Sequence, residues 1–406
     1  MSQRRIVVTG LGVICSLGQN VPETWEALRS GRPVITPFDD PELAKLRFQN
    51  AARVCNFDPA AHFPLTMVDH LDRFAQFALI AAREAANDAG ISWTPELRGR
   101  TAVVTGSSIG GQSTQDRQFW DVYRMGRERV HPLSIPRTMP NAGASQISMD
   151  FGVTGPTFTL STACSSSNHA IALALQLLRS GSADLAFAGG SEAPLSFGML
   201  KAWEAMRVVS PDVCRPFCRD RRGIILGEGA GMLILEPLDA AQARGAHIYA
   251  ELAGAGMSSD AAHITQPTVE GPARAIRAAI SDAGLQLEQV GYINAHGTGT
   301  SGNDPTETGA IREVFGTLAD RIPVSSTKSM HGHALGAAGA IEAVATLLAM
   351  REAILPPTAN FTEADPACDL DYVPNVSRPA RIEAALSNSF AFGGLNAVLA
   401  FRTVNS

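Results

Sequence analysis

The sequence predicts an α/β protein made of two copies of one unit. Three observations carry this. Strand-like and helix-like segments alternate along the whole chain. A helical phrase recurs, AAREAANDAG at 81–90 and AIRAAISDAG at 275–284, each time ending in Asp-Ala-Gly. Two further helices, predicted over 168–178 and 337–350, are apolar on nearly all sides, the pattern of a helix with no solvent face.

The elements follow in order. Residues 5–10 read as a buried strand. The apolar run 6–14 is interrupted by Thr9, Gly10 and Gly12. It therefore reads as a strand and turn, not as the core of a secretory leader behind Met1–Arg5. Residues 73–89 read as a helix closed by Gly90, because glycine takes the left-handed position after a helix without strain. Residues 101–106 read as a second buried strand running into a glycine-rich turn. Residues 158–160 lead into Cys164 and the first apolar helix, which stops near Gly181, and 185–190 is strand-like.

The same order returns in the second half. The repeated helical phrase precedes a strand at 291–295. A strand at 322–325 leads into His333 and the second apolar helix, and 384–392 is strand-like. Matches in one order predict two like halves, 1–250 and 251–406, in one compact body with no flexible linker.

Composition narrows the function classes. At 45% hydrophobic and 18% charged residues, the chain has material for a large core and too few charges for a disordered one. A net charge of -6 without a long basic run argues against nucleic acid as a partner. No apolar run approaches the ~18 residues that a membrane span needs. The expectation is a cytoplasmic protein with no membrane association. Cys214 and Cys218 are four apart, without a second pair or a nearby histidine, so they do not read as a zinc site. The five cysteines other than Cys164 read as reduced thiols.

Four segments could carry chemistry. Cys164 lies in STACSSSNHA at 161–170, where a strand ends and a buried helix begins. A thiol there faces the positive end of the helix dipole, which should lower its pKa, and backbone N–H groups of the turn could hold an oxyanion. A buried core cysteine is the alternative. His296, in NAHGTGT, sits where a strand meets a glycine-rich loop. Thr298 and Thr300 alternate along that loop and could bond an extended ligand or simply form the turn. The run SSTKSMHGHALGAAGAIEA at 325–343 gathers Lys328, His331, His333 and Glu342. Glu342 falls in the apolar helix and needs an interior partner, for which Lys328 is the candidate. His333 is placed at the start of that helix. NSFAFGGLNA at 388–397 ends in glycines that let a backbone approach a ligand. One thiol and two neutral imidazoles suit acyl chemistry at a carbonyl. Residue types alone leave a cysteine hydrolase open.

Together these segments resemble the elongating β-ketoacyl-acyl carrier protein synthases, from RRIVVTGLGVICSLG at the start, through RPFCRDRRGIILGEGAGMLILE, to SFAFGGLNAVLAF near the end. The resemblance implies the thiolase fold, a pseudo-duplicated five-layered α-β-α-β-α architecture. It implies that Cys164 takes an acyl chain from a carrier-protein thioester. His296 and His333 then promote decarboxylation of a malonyl thioester, whose enolate attacks the acyl group. It further implies an oxyanion hole from the N–H groups of Cys164 and Phe392, with the Phe392 ring gating the thiol. Lys328, Glu342, Asp304 and Glu307 organise the site. Thr298, Thr300 and Thr265 contact the phosphopantetheine arm, which arrives on the carrier protein. No resident cofactor or catalytic metal is implied. The implied partners are an acyl carrier protein and a second subunit, in a homodimer or in a heterodimer with a chain-length-factor-like chain. Retention of Cys164, His296 and His333 argues against a non-catalytic partner subunit, and the absence of a second cysteine at 390–396 against a thiolase.

The chain also departs from the usual pattern. Residues 65–71, LTMVDHL, lack the basic cluster that docks the carrier protein in relatives, which moves the expected docking patch to Arg124, Arg127, Arg129 and Arg207. Gln112 and Gln115 stand where relatives place apolar pocket residues, so they are expected to line the acyl pocket and to favour a shorter, polar or unsaturated chain. His331 replaces the usual threonine and Ala391 the usual glycine. Both are similar to ketosynthases of nodulation-factor and polyene pathways.

Overall fold

The computed structural model describes residues 4–404; Met1, Ser2 and Gln3 of the leader-like stretch, with Asn405 and Ser406, lie outside the described residues. Ten strands form one hydrogen-bonded sheet. Their order is Val324–Ser325, Val290–Asn294, Ala384–Ala391, Leu395–Arg402, Ala250–Ser259, Ile6–Cys15, Gly229–Pro237, Leu185–Glu192, Thr101–Gly106 and Thr157–Leu160.

The sheet is two copies of one pattern. In the first, Thr101–Gly106 pairs in parallel with Thr157–Leu160 and Leu185–Glu192, and Gly229–Pro237 and Ile6–Cys15 follow antiparallel. In the second, Val290–Asn294 pairs in parallel with Val324–Ser325 and Ala384–Ala391, and Leu395–Arg402 and Ala250–Ser259 follow antiparallel. The copies join where Val7 and Val8 face Glu251 and Ala250.

Alternation along the strands assigns the layers, because successive side chains point to opposite faces. Leu185 and Phe187 pack with helix Arg73–Ala89, while Ala186 and Ala188 pack with helix Ser166–Arg179. In the second copy Leu386 and Ala400 pack with helix Glu270–Asp282, while Ala385 and Leu399 face the central helices. The result is five layers. Helix Arg73–Ala89 lies outermost, then the first five strands, then Ser166–Arg179 beside Ala338–Glu352, then the second five strands, then Glu270–Asp282. Both central helices read as buried from sequence, and residues 338–350 are all buried.

The expected strand and turn at the start is instead one ten-residue strand, Ile6–Cys15. Its glycines serve packing. A Cβ on Gly10 would stand 2.1 Å from the Ala85 carbonyl oxygen, and one on Gly12 1.9 Å from that of Ala81. The second copy repeats the device. A Cβ on Gly254 would stand 2.4 Å from the Ala283 nitrogen and one on Gly256 2.0 Å from the Ala275 oxygen. The repeated helical phrase is therefore one face of a strand–helix contact too close for any side chain on the strand. Helix Arg73–Ala89 ends, as expected, on Gly90 at φ 60°. Among the described residues no helix is long and apolar enough to cross a membrane, and no group of His, Cys, Asp or Glu could hold a metal ion.

Candidate active site

The carboxyl-terminal ends of the parallel strands in each copy carry the predicted loops. Cys164 follows Thr157–Leu160 and precedes helix Ser166–Arg179 by two residues. Ala163 before it takes φ 50°, a left-handed conformation that makes the turn sharp. The corresponding strand of the second copy, Val324–Ser325, leads into the short helix Lys328–His331 and then His333. His333 does not begin the long helix. A 3-10 turn, Leu335–Ala337, intervenes. His333 is held by the segment 225–227: its N–H donates to the Ile225 carbonyl at 2.6 Å and its carbonyl accepts from Gly227 N–H at 2.9 Å. His296 follows Val290–Asn294, and Phe392 follows Ala384–Ala391.

One cavity of about 440 Å³ is lined by Cys164, His296, His333, Thr298, Thr300 and Thr265, together with Phe392. A second, of about 380 Å³, adjoins it and is mostly apolar, with Ile109, Ala163, Met199, Trp203 and Leu335 around Cys164 and Phe392. Cys164 and Phe392 border both. The Phe392 ring stacks on Trp203 with centroids 6.2 Å apart. Trp203 was not singled out from sequence; an aromatic residue on a short amphipathic helix gives no signal of its partner.

Each side chain has a defined environment. The backbone N–H groups of Phe392 and of Cys164 itself lie near the sulfur and favour its ionised form. Burial nevertheless pushes the thiol up to about 11, against the pull of the Lys328 charge and the Phe392 N–H. This reverses the expectation of a lowered pKa. Desolvation outweighs the helix end, so the resting group is a thiol at neutral pH. Burial, with Lys328 second, holds both His296 and His333 well below the usual imidazole range, so both rings are neutral. The rings meet edge to face, centroids 5.4 Å apart.

Lys328 pairs with Glu342 in full burial. Its Nζ also donates to the His296 carbonyl at 2.6 Å and lies 3.4 Å from His296 Nδ1. An ammonium only donates, so Nδ1 of His296 is the acceptor and the ring proton sits on Nε2. Glu307 accepts from the N–H groups of His296 and Gly297, both at 2.8 Å. Asn388 donates to Glu307 at 3.2 Å, a contact not foreseen although its segment was marked. Asp304 accepts from Phe217 N–H at 2.7 Å and Gly299 N–H at 3.2 Å. The Thr298 and Thr300 hydroxyls are 2.9 Å apart. His331 is buried, with Nε2 3.0 Å from Thr327 Oγ1, and burial takes its ring down to about 3.

Two expectations fail. Gln112 and Gln115 line neither cavity at Cys164. Residues 112–119 form a helix whose phase turns Ser113, Thr114, Arg117 and Gln118 to a different cavity, leaving the two glutamines half-buried on other faces. The four arginines do not form one patch. Arg207 is exposed between Met206 and Val208 at the mouth of the Cys164 cavity. Arg127 and Arg129 line the other cavity, Arg127 paired with Asp121 at 3.2 Å, and Arg124 lines neither.

Comparison with known proteins is consistent along the whole chain. Residues 3–241 match the family model described as β-ketoacyl synthase, N-terminal domain, and 249–362 the one described as β-ketoacyl synthase, C-terminal domain. Nodulation protein E of Rhizobium sp. (strain N33) is 48% identical over 401 residues, covering 99% of this chain and all of that protein. The 3-oxoacyl-[acyl-carrier-protein] synthase 2 of Staphylococcus aureus (strain COL) is 40% identical over 410 residues, 99% of each. The solved structure of the ishigamide ketosynthase/chain length factor superposes with a TM-score of 0.94 at 38% identity and full coverage of both chains. The five layers are the thiolase fold, and the chain belongs to the β-ketoacyl synthase family.

Proposed function

We propose that this chain is a decarboxylating ketosynthase in which Cys164 carries the acyl chain and His296 and His333 act on the malonyl thioester. The observation that carries the reading is one cavity shared by a thiol and two neutral imidazoles, backed by an apolar cavity that also reaches the thiol.

The chemistry follows from the geometry. Sγ of Cys164 attacks the acyl thioester carbonyl. A C–S bond to the enzyme forms, the bond to the carrier thiol breaks, and the thiol proton leaves with the carrier. The N–H groups of Cys164 and Phe392 stabilise the oxyanion. The acyl chain lies in the apolar cavity, with Phe392 moving between the two cavities. A malonyl thioester then enters along Thr265, Thr298 and Thr300, which hold its phosphopantetheine arm. His296 donates from Nε2 to the thioester carbonyl, its tautomer fixed by Lys328, and His333 donates beside it. The bond to the carboxylate breaks, releasing carbon dioxide and an enolate. The enolate carbon bonds the acyl carbon, the C–S bond to Cys164 breaks, the released thiolate takes up a proton from solvent, and a 3-oxoacyl thioester leaves. Lys328, Glu342, Asp304 and Glu307 hold His296 and its loop. No resident cofactor or catalytic metal takes part.

Incubation with acyl and malonyl carrier-protein thioesters tests this. Wild type is expected to gain the acyl mass on Cys164 and to release the extended product. His333→Ala is expected to keep acylation within about tenfold while condensation falls ~100-fold or more, the size of losing one donor to a developing oxyanion. Condensation at the wild-type rate would sink the assignment.

The carrier protein is proposed to dock near Arg207, beside the cavity mouth. Arg207→Glu should raise the KM for carrier thioesters ~3- to 10-fold at low salt, with the gap closing at high salt. Arg124, Arg127 and Arg129 are proposed as more remote contacts. The segment 119–149 exposes Phe119, Trp120, Tyr123, Met125, Ile135 and Met149, an apolar surface suited to a second subunit. A homodimer is the proposed assembly, and native mass of twice the chain checks it. The ishigamide structure, named for a ketosynthase with a chain length factor, favours a heterodimer as the second reading. Similarity to nodulation protein E supports a specialised role for this chain, and the cytoplasm is its proposed location.

A further inference from the structure

Glu192 closes the strand Leu185–Glu192 with no exposed surface, and nothing in the reaction above uses it. Four donors converge on its carboxylate. Oε1 accepts from Ser107 Oγ at 2.9 Å and Ile109 N–H at 3.3 Å. Oε2 accepts from Ser108 N–H at 2.6 Å and Gly336 N–H at 3.0 Å. The Ser107 hydroxyl itself accepts from Gly110 N–H, so its proton points to Glu192. Burial raises the pKa of this carboxyl, and every group facing it is a donor, which pulls the other way, toward the ionised form.

These donors belong to two segments that meet in the wall of the apolar cavity. Ser108 and Ile109 line it, and so does Leu335, next to Gly336. The Gly336 peptide is held from both ends, by Glu192 at its N–H and by Ser167 of the Cys164 helix at its carbonyl. A Cβ at Gly336 would stand 2.5 Å from Ser108 N and 2.6 Å from Glu192 Oε2, so only glycine admits the bridge. Ser108 also donates to the Ala163 carbonyl at 3.2 Å, the residue before the nucleophile.

We propose that Glu192 is a positioning residue that fixes the shape of the acyl cavity on this side, holding the Ser107–Ile109 segment against the Leu335–Gly336 segment and thereby setting which acyl chains Cys164 accepts. Its charge acts on the same thiol. Glu192 raises the Cys164 pKa, whereas Lys328 lowers it, and His296 and His333 face the sulfur as neutral rings. The inference rests on the acylation of Cys164 proposed above.

The test uses the full-length protein and two variants. Glu192→Gln removes the charge and forces an N–H against a donor. Glu192→Asp keeps the charge and shortens the reach. Two quantities are read: loading rates from acyl carrier-protein thioesters of short and long chain, by intact mass, and the pH midpoint of Cys164 alkylation by iodoacetamide. Both variants are expected to change the short-to-long loading ratio at least about threefold. Glu192→Gln is expected to move the alkylation midpoint down by on the order of half a pH unit, and Glu192→Asp to leave it in place. A loading ratio unchanged in a folded Glu192→Asp overturns the proposal, even where Glu192→Gln shifts the midpoint. If Glu192→Gln fails to fold, Glu192→Asp alone decides. Wild type that is never loaded at all overturns the underlying acylation reading; wild type that loads, with variants that match it, overturns this one.

Discussion

Cys164→Ala is expected to lose acyl transfer by at least ~1,000-fold while keeping the wild-type fold. Cys164 lies where the two cavities meet, and no other cysteine lines either of them. The side chain is small, in a turn fixed by the backbone of Ala163 and the hydroxyls of Ser165 and Ser166, which donate to carbonyls of Thr162 and Ala163. Removing one sulfur therefore leaves the turn intact. Intact-mass analysis after exposure to an acyl carrier-protein thioester reads the outcome. An adduct on the alanine variant as abundant as on wild type would show that the acyl group sits elsewhere.

Lys328→Ala is expected to have the largest effect on stability, a loss of ~3–5 kcal/mol, because a buried carboxylate keeps its desolvation cost after its partner goes. Three contacts vanish at once: the pair with Glu342, the bond to the His296 carbonyl, and the donor beside His296 Nδ1. Burial already raises the Glu342 carboxyl to about 7 against the opposing Lys328 charge. Without that charge the carboxyl rises further. A raised carboxyl holds its proton in the folded chain at a pH where the unfolded chain, near 4.5, has lost it. Stability then falls as pH rises from about 4.5 through the folded value, and the variant should unfold more easily at pH 8 than at pH 5 relative to wild type. Lys328→Ala combined with Glu342→Gln should recover part of the loss. Denaturant titrations at the two pH values measure it, and a variant equally weakened at both would argue against an uncompensated carboxylate. Condensation should fail in the single variant, since the tautomer of His296 is no longer set.

Much of this arrangement was legible in the sequence because it depends on where strands end. Cys164, His296, His333 and Phe392 all follow strands that pair in parallel, and such strands deliver the loops that follow them to the same edge. The Lys328–Glu342 pair was legible because a carboxylate in an apolar helix has few ways to be satisfied. What the sequence hid depends on side-chain phase and on burial. Gln112 and Gln115 were placed by counting from Gly110-Gly111, but the chain turns into a helix there and its rotation decides what faces the cavity. The Cys164 pKa was argued from the helix end alone, whereas the enclosing walls dominate it. Glu192 reads as the last residue of a strand; the loops that converge on it are more than eighty residues away on either side, at Ser107–Ile109 and Gly336. Gly10 and Gly12 read as a turn because glycine's two uses, bending a chain and letting a helix come close, look alike without the helix.

The place of the first strand in the sheet has a consequence for biosynthesis. Ile6–Cys15 is made long before its two neighbours in the sheet, Gly229–Pro237 and Ala250–Ser259. The nascent chain emerges with a mostly apolar, two-edged strand that must wait for residues 229–259 before both edges are covered. Exposed strand edges of this kind are where chains stick to one another. Yield of native enzyme should therefore depend on the cell's capacity to shelter the amino-terminal half during synthesis, more than on the stability of the finished fold.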